Sequence, residues 1–97
     1  MTTPVLELLT SNATEEAYLF FCPGCECSHW VRMRGKEPCW TWNSDRVVPT
    51  IAPSIKVESG NADGPTCCHL FIRDGKIEFL SDCTHRLAGQ TVPMEGV

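Results

Sequence analysis

Apolar and polar residues follow one another at a spacing of two through much of the chain, the period of strands rather than of helices. AYLFF at 17–21 reads as a buried strand that runs into a turn at Cys22. A second short strand follows around His29–Met33, and CWTWN at 39–43 sets Trp40 and Trp42 on one face. In VVPTIAPSIKVES, Pro49 and Pro53 exclude a central helix and predict an edge strand or extended segment that becomes regular over Ser54–Glu58. SGNADGP at 59–65 has the composition of a loop. Residues 1–15 offer one short apolar segment, Val5, Leu6, Leu8 and Leu9, which suits a strand or a helical turn, and this start is read as loosely ordered. Near the other end, Leu87–Gly89 suits one helical turn.

The strongest local signal is CCHLFIRDGKIEFLSDC at 67–83, where Asp74-Gly75 sits between two β-rich runs as the favoured two-residue hairpin turn. That register opposes Ile72 to Ile77, Leu70 to Phe79 and Cys68 to Ser81 on one apolar face. Cys83 then falls on the same face, diagonal to Cys68, while His69, Phe71 and Leu80 take the other. The expected fold is mostly β: a single domain over 1–97, of five or six short strands, with a zinc knuckle and a C-terminal hairpin.

Ninety-seven residues suffice for one modest core, and 42% hydrophobic with 21% charged residues is the balance of a globular chain. The net charge of -4 and scattered basic residues argue against nucleic acid as a partner. No stretch has the roughly 20 apolar residues of a membrane helix. MTTPVLELLTSNATEE lacks a basic leader and is not expected to be a signal peptide. The expected location is the cytoplasm of a bacterial host, where structural disulfides are rare, so seven cysteines require another use.

CPGCECSH at 22–29 suggests that use. Cys22 and Cys25 have the C-x₂-C spacing of a zinc knuckle, with Pro23-Gly24 as its tight turn. Zinc takes four ligands, and the hairpin register nominates Cys68 and Cys83 for the other two. A site of Cys22, Cys25, Cys68 and Cys83 would staple the knuckle to the hairpin. Cys27, Cys39 and Cys67 read as simple buried thiols, since free cysteine is a small hydrophobe that cores tolerate. A thioredoxin-like role for CPGC fits poorly, because that motif normally opens a helix in an α/β unit.

His29, His69 and His85 each lie close to a cysteine of that set and are alternative ligands. Together they would make an open three-His zinc site, with Asp82 orienting one of them. Of the two tryptophans in WTWNSD, one is assigned to the core, and the two prolines of PTIAPS are given an architectural role.

FCPGC with His29, WTWN with PTIAPSI, CHLFIRDGKIEFL and DCTHRLAGQTVPM together resemble a family of small Cys/His-rich phage and prophage proteins. Members often bear the automatic label "ammonia monooxygenase", which suits neither the size nor the solubility of this chain. The family is similar to a broader group of Cys/His-rich domains, some encoded beside bacterial ubiquitin-like conjugation genes. The resemblance spans Ala17 to Met94. It implies a zinc-binding β domain in which Cys22, Cys25, His29, Cys68, His69, Cys83 and His85 occupy the family's Cys/His positions. Cys27, Cys39 and Cys67 are additions of this sequence, and Ser44 stands where glycine is usual.

Two functions follow as expectations. The first is a small zinc-binding phage accessory protein that acts by binding a host or defence macromolecule, its partner a protein. The second is a zinc-dependent hydrolase using His29, His69 and His85.

Overall fold

The computed structural model describes residues 3–96. Eight strands are present: β1 (Glu7–Ser11), β2 (Glu16–Cys22), β3 (Cys27–Arg34), β4 (Thr41–Trp42), β5 (Ile51–Asn61), β6 (Gly64–Arg73), β7 (Lys76–Phe79) and β8 (Thr91–Pro93). They form two antiparallel sheets, β1-β2-β3 and β4-β5-β6-β7-β8. No helix is long and apolar enough to cross a membrane.

Period-two alternation places the core. Tyr18, Phe20, Cys22, His29 and Val31 point inward from the smaller sheet, and Ile55, Leu70, Ile72, Ile77 and Phe79 from the larger. These apolar side chains join one cluster that also takes in Val5 and Leu6 from the chain's start. Fully burying each large aliphatic residue contributes about 1.5–3 kcal/mol. Both Trp40 and Trp42 pack against this cluster, half-buried, rather than one alone.

The predicted hairpin is present in its predicted register: Ile72 opposes Ile77 and Leu70 opposes Phe79, with Arg73 and Lys76 closing the turn. Asp74 and Gly75 both have positive φ, 51° and 74°, as a two-residue turn matched to strand twist requires. Cys68 is therefore buried while His69 faces the other side of the sheet.

Other details differ from the pattern reading. The apolar segment near the start becomes β1, with Val5 and Leu6 buried just ahead of it. Residues 59–65 are mostly strand, because β5 and β6 run together until only Ala62 and Asp63 remain between Asn61 and Gly64. Leu87–Gly89 lies in hydrogen-bonded turns, Ala88 N donating to His85 O and Gln90 N to Leu87 O, without a helix. β8 adds a short eighth strand by pairing Val92 with Ile77.

β5 is not a true edge strand, yet its prolines are accommodated for the reason an edge would give. β4 pairs only with Ile51 and Ala52, so among the described residues no strand pairs with that side of β5 from Pro53 onward. Against β6, Ile51 opposes Ile72 and Ile55 opposes Leu70. Three residues, Ala52, Pro53 and Ser54, thus stand across from Phe71 alone. Alternation from the buried Ile55 puts Ser54 on the face that carries His69, and the bulge sets how far along β6 it reaches.

Candidate active site and metal centre

Three side chains meet on the outer face of the larger sheet. Ser54 Oγ lies 3.1 Å from His69 Nε2, and His69 Nδ1 lies 3.0 Å from Asp82 Oδ2. Ser54 comes from the β5 bulge, His69 from the middle of β6 and Asp82 from the turn after β7. A carboxylate can only accept, so Nδ1 carries the ring proton and donates it to Asp82. Nε2 is left as the acceptor for the Ser54 hydroxyl. The His69 hydrogen bond holds the Asp82 carboxyl below the usual carboxylate range. The His69 side chain is 23% exposed and Asp82 50%, so the site opens to solvent while its imidazole is largely sheltered. A hydroxyl, a base and an orienting carboxylate in series form the nucleophilic arrangement of acyl transfer.

Cys83 braces this arrangement from behind. Its Sγ accepts from His69 N and donates to His69 O, each at 3.2 Å. The residue beside Asp82 thereby grips the backbone of the histidine that Asp82 orients.

The inner face carries the sulfur chemistry. Ligand atoms of Cys22, Cys25, His29 and Cys68 all lie within 4.8 Å of one another, and this group can hold a metal ion. Cys22 Sγ and Cys68 Sγ are 3.7 Å apart. Zn–S bonds of about 2.3 Å in a tetrahedron put two sulfurs about 3.8 Å apart, so this spacing suits one ion. His29 is 7% exposed, and its Nε2 is buried without a hydrogen-bond partner. An unpaired buried imidazole nitrogen is costly unless a ligand takes it. The Cys68 thiol donates toward Cys22, which lowers the Cys22 pKa and raises that of Cys68. Burial, then the Cys22 charge, pushes Cys25 up to about 11.

A second group, Cys68, Cys83 and His85, can also hold a metal ion by proximity. The hydrogen bonds of His85 give it another role. Leu87 N donates to His85 Nδ1 at 3.2 Å, which leaves the proton of the neutral ring on Nε2, 3.5 Å from Cys68 Sγ. His85 is thus a donor to the Cys68 sulfur. Its ring also packs edge-on to Phe79 at 4.6 Å. The ring fills the space over the knuckle: a Cβ on Gly24 would stand 2.3–2.6 Å from three of its atoms.

The three cysteines expected to be buried thiols are not: Cys27 is exposed, and Cys39 and Cys67 are only partly buried. Of the residues nominated by sequence as ligands, Cys22, Cys25 and Cys68 are brought together. Cys83 lies with Cys68 and His85, and His29 is gathered with Cys22 and Cys25. The three histidines do not assemble: His29 is in one group, His85 in the other, and His69 in neither. Both nitrogens of His69 are engaged by Ser54 and Asp82, so an open three-His zinc site is not formed. Asp82 does orient a histidine, as anticipated, but for a serine rather than a metal. Pattern reading missed Ser54 altogether. The available signal was a serine directly after a strand-breaking proline, on the strand expected to lead toward the hairpin.

A family model described as bacterial ubiquitination-like system serine protease (BubE) matches residues 4–80, most of the chain. No curated protein and no solved structure matches it.

Proposed function

The chain belongs to the BubE family, and from that membership we propose that it is a serine peptidase with Ser54, His69 and Asp82 as its triad. One observation carries the reading: the continuous chain of hydrogen bonds from Ser54 Oγ through both nitrogens of His69 to Asp82. Ser54 Oγ attacks the scissile carbonyl while His69 Nε2 takes the hydroxyl proton, and Asp82 stabilises the resulting imidazolium. His69 returns the proton to the leaving amine as the C–N bond breaks, giving an acyl-Ser54 ester. A water deprotonated by His69 then hydrolyses the ester and restores the serine. The macromolecule acted on is a protein substrate within a bacterial ubiquitination-like system. A phage-borne protein acting in the host cytoplasm on a host or defence component accords with this.

The ion we assign to Cys22, Cys25, His29 and Cys68 is zinc, which favours a closed tetrahedron of thiolate and imidazole. Four protein ligands leave no open position, so the ion's role is to hold the two sheets together.

A fluorophosphonate tests the peptidase reading. It should label the parent protein covalently at Ser54, with labelling abolished in Ser54→Ala. A folded parent that takes no label, or takes it at another residue, overturns the assignment.

A further inference from the structure

The strand that carries Ser54 also presents an unpaired edge. Which of its backbone groups face outward follows from Pro65. This residue opposes Gly60 and has no N–H, so Gly60 and Pro65 do not form a hydrogen-bonded pair. Alternation then makes Ile55–Leu70, Val57–Cys68 and Ser59–Thr66 the bonded pairs. The far side of β6 agrees: Cys67 bonds Thr84 through both N and O, and His69 bonds Leu80 N and Cys83 Sγ. Lys56, Glu58 and Gly60 therefore turn their N–H and C=O groups away from β6.

Among the described residues, nothing takes those groups. β4 stops at Ala52, and among the described residues no hydrogen bond outside the ladder with β6 involves Lys56, Glu58 or Gly60. At the head of this edge, Ser54 O accepts from Trp40 Nε1 at 3.2 Å. Lys56, Glu58, Ser59 and Gly60 are exposed. An open strand edge is a template for another backbone, and proteins that do not use such an edge usually cover it.

We infer that the open edge of β5, from Lys56 to Gly60, takes an extended segment of the substrate polypeptide as an added β-strand and leads it to Ser54. The inference rests on the peptidase reading, and it names how that site recognises its substrate. Continuity decides the occupant: nucleophile and edge belong to one strand, and only a polypeptide backbone matches donors and acceptors repeating at every second residue. Three residues offer paired groups, enough to register a five-residue stretch at about 3.3 Å per residue. Recognition through main chain makes the site tolerant of sequence within that stretch and intolerant of folded structure.

The test uses an octapeptide quenched-fluorescent library and the unaltered protein. Peptides cleaved by the protein are remade with single N-methylated amides, one position at a time. Cleavage is expected to fall tenfold or more at alternate positions on one side of the scissile bond, with little change between them. Uniform tolerance, or losses without that alternation, overturns the edge as the docking element. So does a parent protein that fluorophosphonate labels at Ser54 but that cleaves no peptide in the library. Absence of labelling in the parent is the separate failure of the peptidase reading. From the enzyme side, Glu58→Pro removes one outward N–H without touching the ladder to β6, and should raise KM tenfold or more. Circular dichroism and a thermal melt establish that this variant is folded, and a folded variant that cleaves like the parent refutes the proposal.

Discussion

Gly24→Ala should be far more damaging than a surface glycine substitution in a turn. The added Cβ would lie 2.3 Å from Cε1, 2.4 Å from Nε2 and 2.6 Å from Nδ1 of His85. Carbon contacts settle at about 3.5–4.0 Å, so the ring must retreat by about 1 Å or more. It cannot do so freely, because Leu87 N holds Nδ1 at 3.2 Å, Cys68 Sγ faces Nε2 at 3.5 Å, and Phe79 closes the third side. Loss of the two neutral hydrogen bonds, to Cys68 Sγ and from Leu87 N, costs about 1 kcal/mol each. The edge-on aromatic contact adds about 0.5 kcal/mol. The expected total is about 2.5 kcal/mol, or roughly 10–20 °C in Tm for a domain of this size. Urea unfolding of four proteins measures it: the parent, Gly24→Ala, His85→Ala and the double variant. With the imidazole gone, the methyl has room, so Gly24→Ala should be nearly neutral in the His85→Ala background. Additive costs, or a Gly24→Ala penalty below about 0.5 kcal/mol, would refute the claim that His85 is pinned over the knuckle.

Ser54→Ala should abolish peptide cleavage without altering the melt, and Asp82→Asn should lower kcat by about 10⁴-fold by losing the orienting carboxylate; steady-state kinetics reads both. Elemental analysis should find one zinc per chain, lost in His29→Ala and retained in His69→Ala and His85→Ala. Stripping the ion with a chelator should lower the melting temperature, since a closed zinc site contributes to folding; an unchanged melt after confirmed removal contradicts a structural ion. Phe79→Ala should cost about 3–5 kcal/mol in chemical denaturation, because this buried ring supports both the core and His85.

The hairpin was legible because its information is local. Asp74-Gly75 sets the turn, and alternation carries the register to Cys68 and His69 with no reference to the rest of the chain. Cys22 and Cys25 were legible for the same reason. The fourth member of the metal group was not. Whether His29 or Cys83 reaches Cys22 depends on how β3 faces β6 across two sheets, and no local pattern encodes that distance. Ser54 was hidden by its bulge: strict alternation from Ile55 says that Ser54 faces outward, but not that it reaches His69, two residues along the neighbouring strand. The short β8 forms only because Ile77 is already in place to pair with Val92.

Cys68 and His69 are adjacent residues with opposite duties, one turned to the sulfur cluster and one to the serine. A slip of β6 by a single residue would turn each to the opposite face, His69 inward and Cys68 outward. If an ion binds Cys22, Cys25, His29 and Cys68 as proposed, it holds β6 in the one register that also sets His69 beside Ser54. The proposed structural and catalytic sites then stand or fall on a single strand pairing.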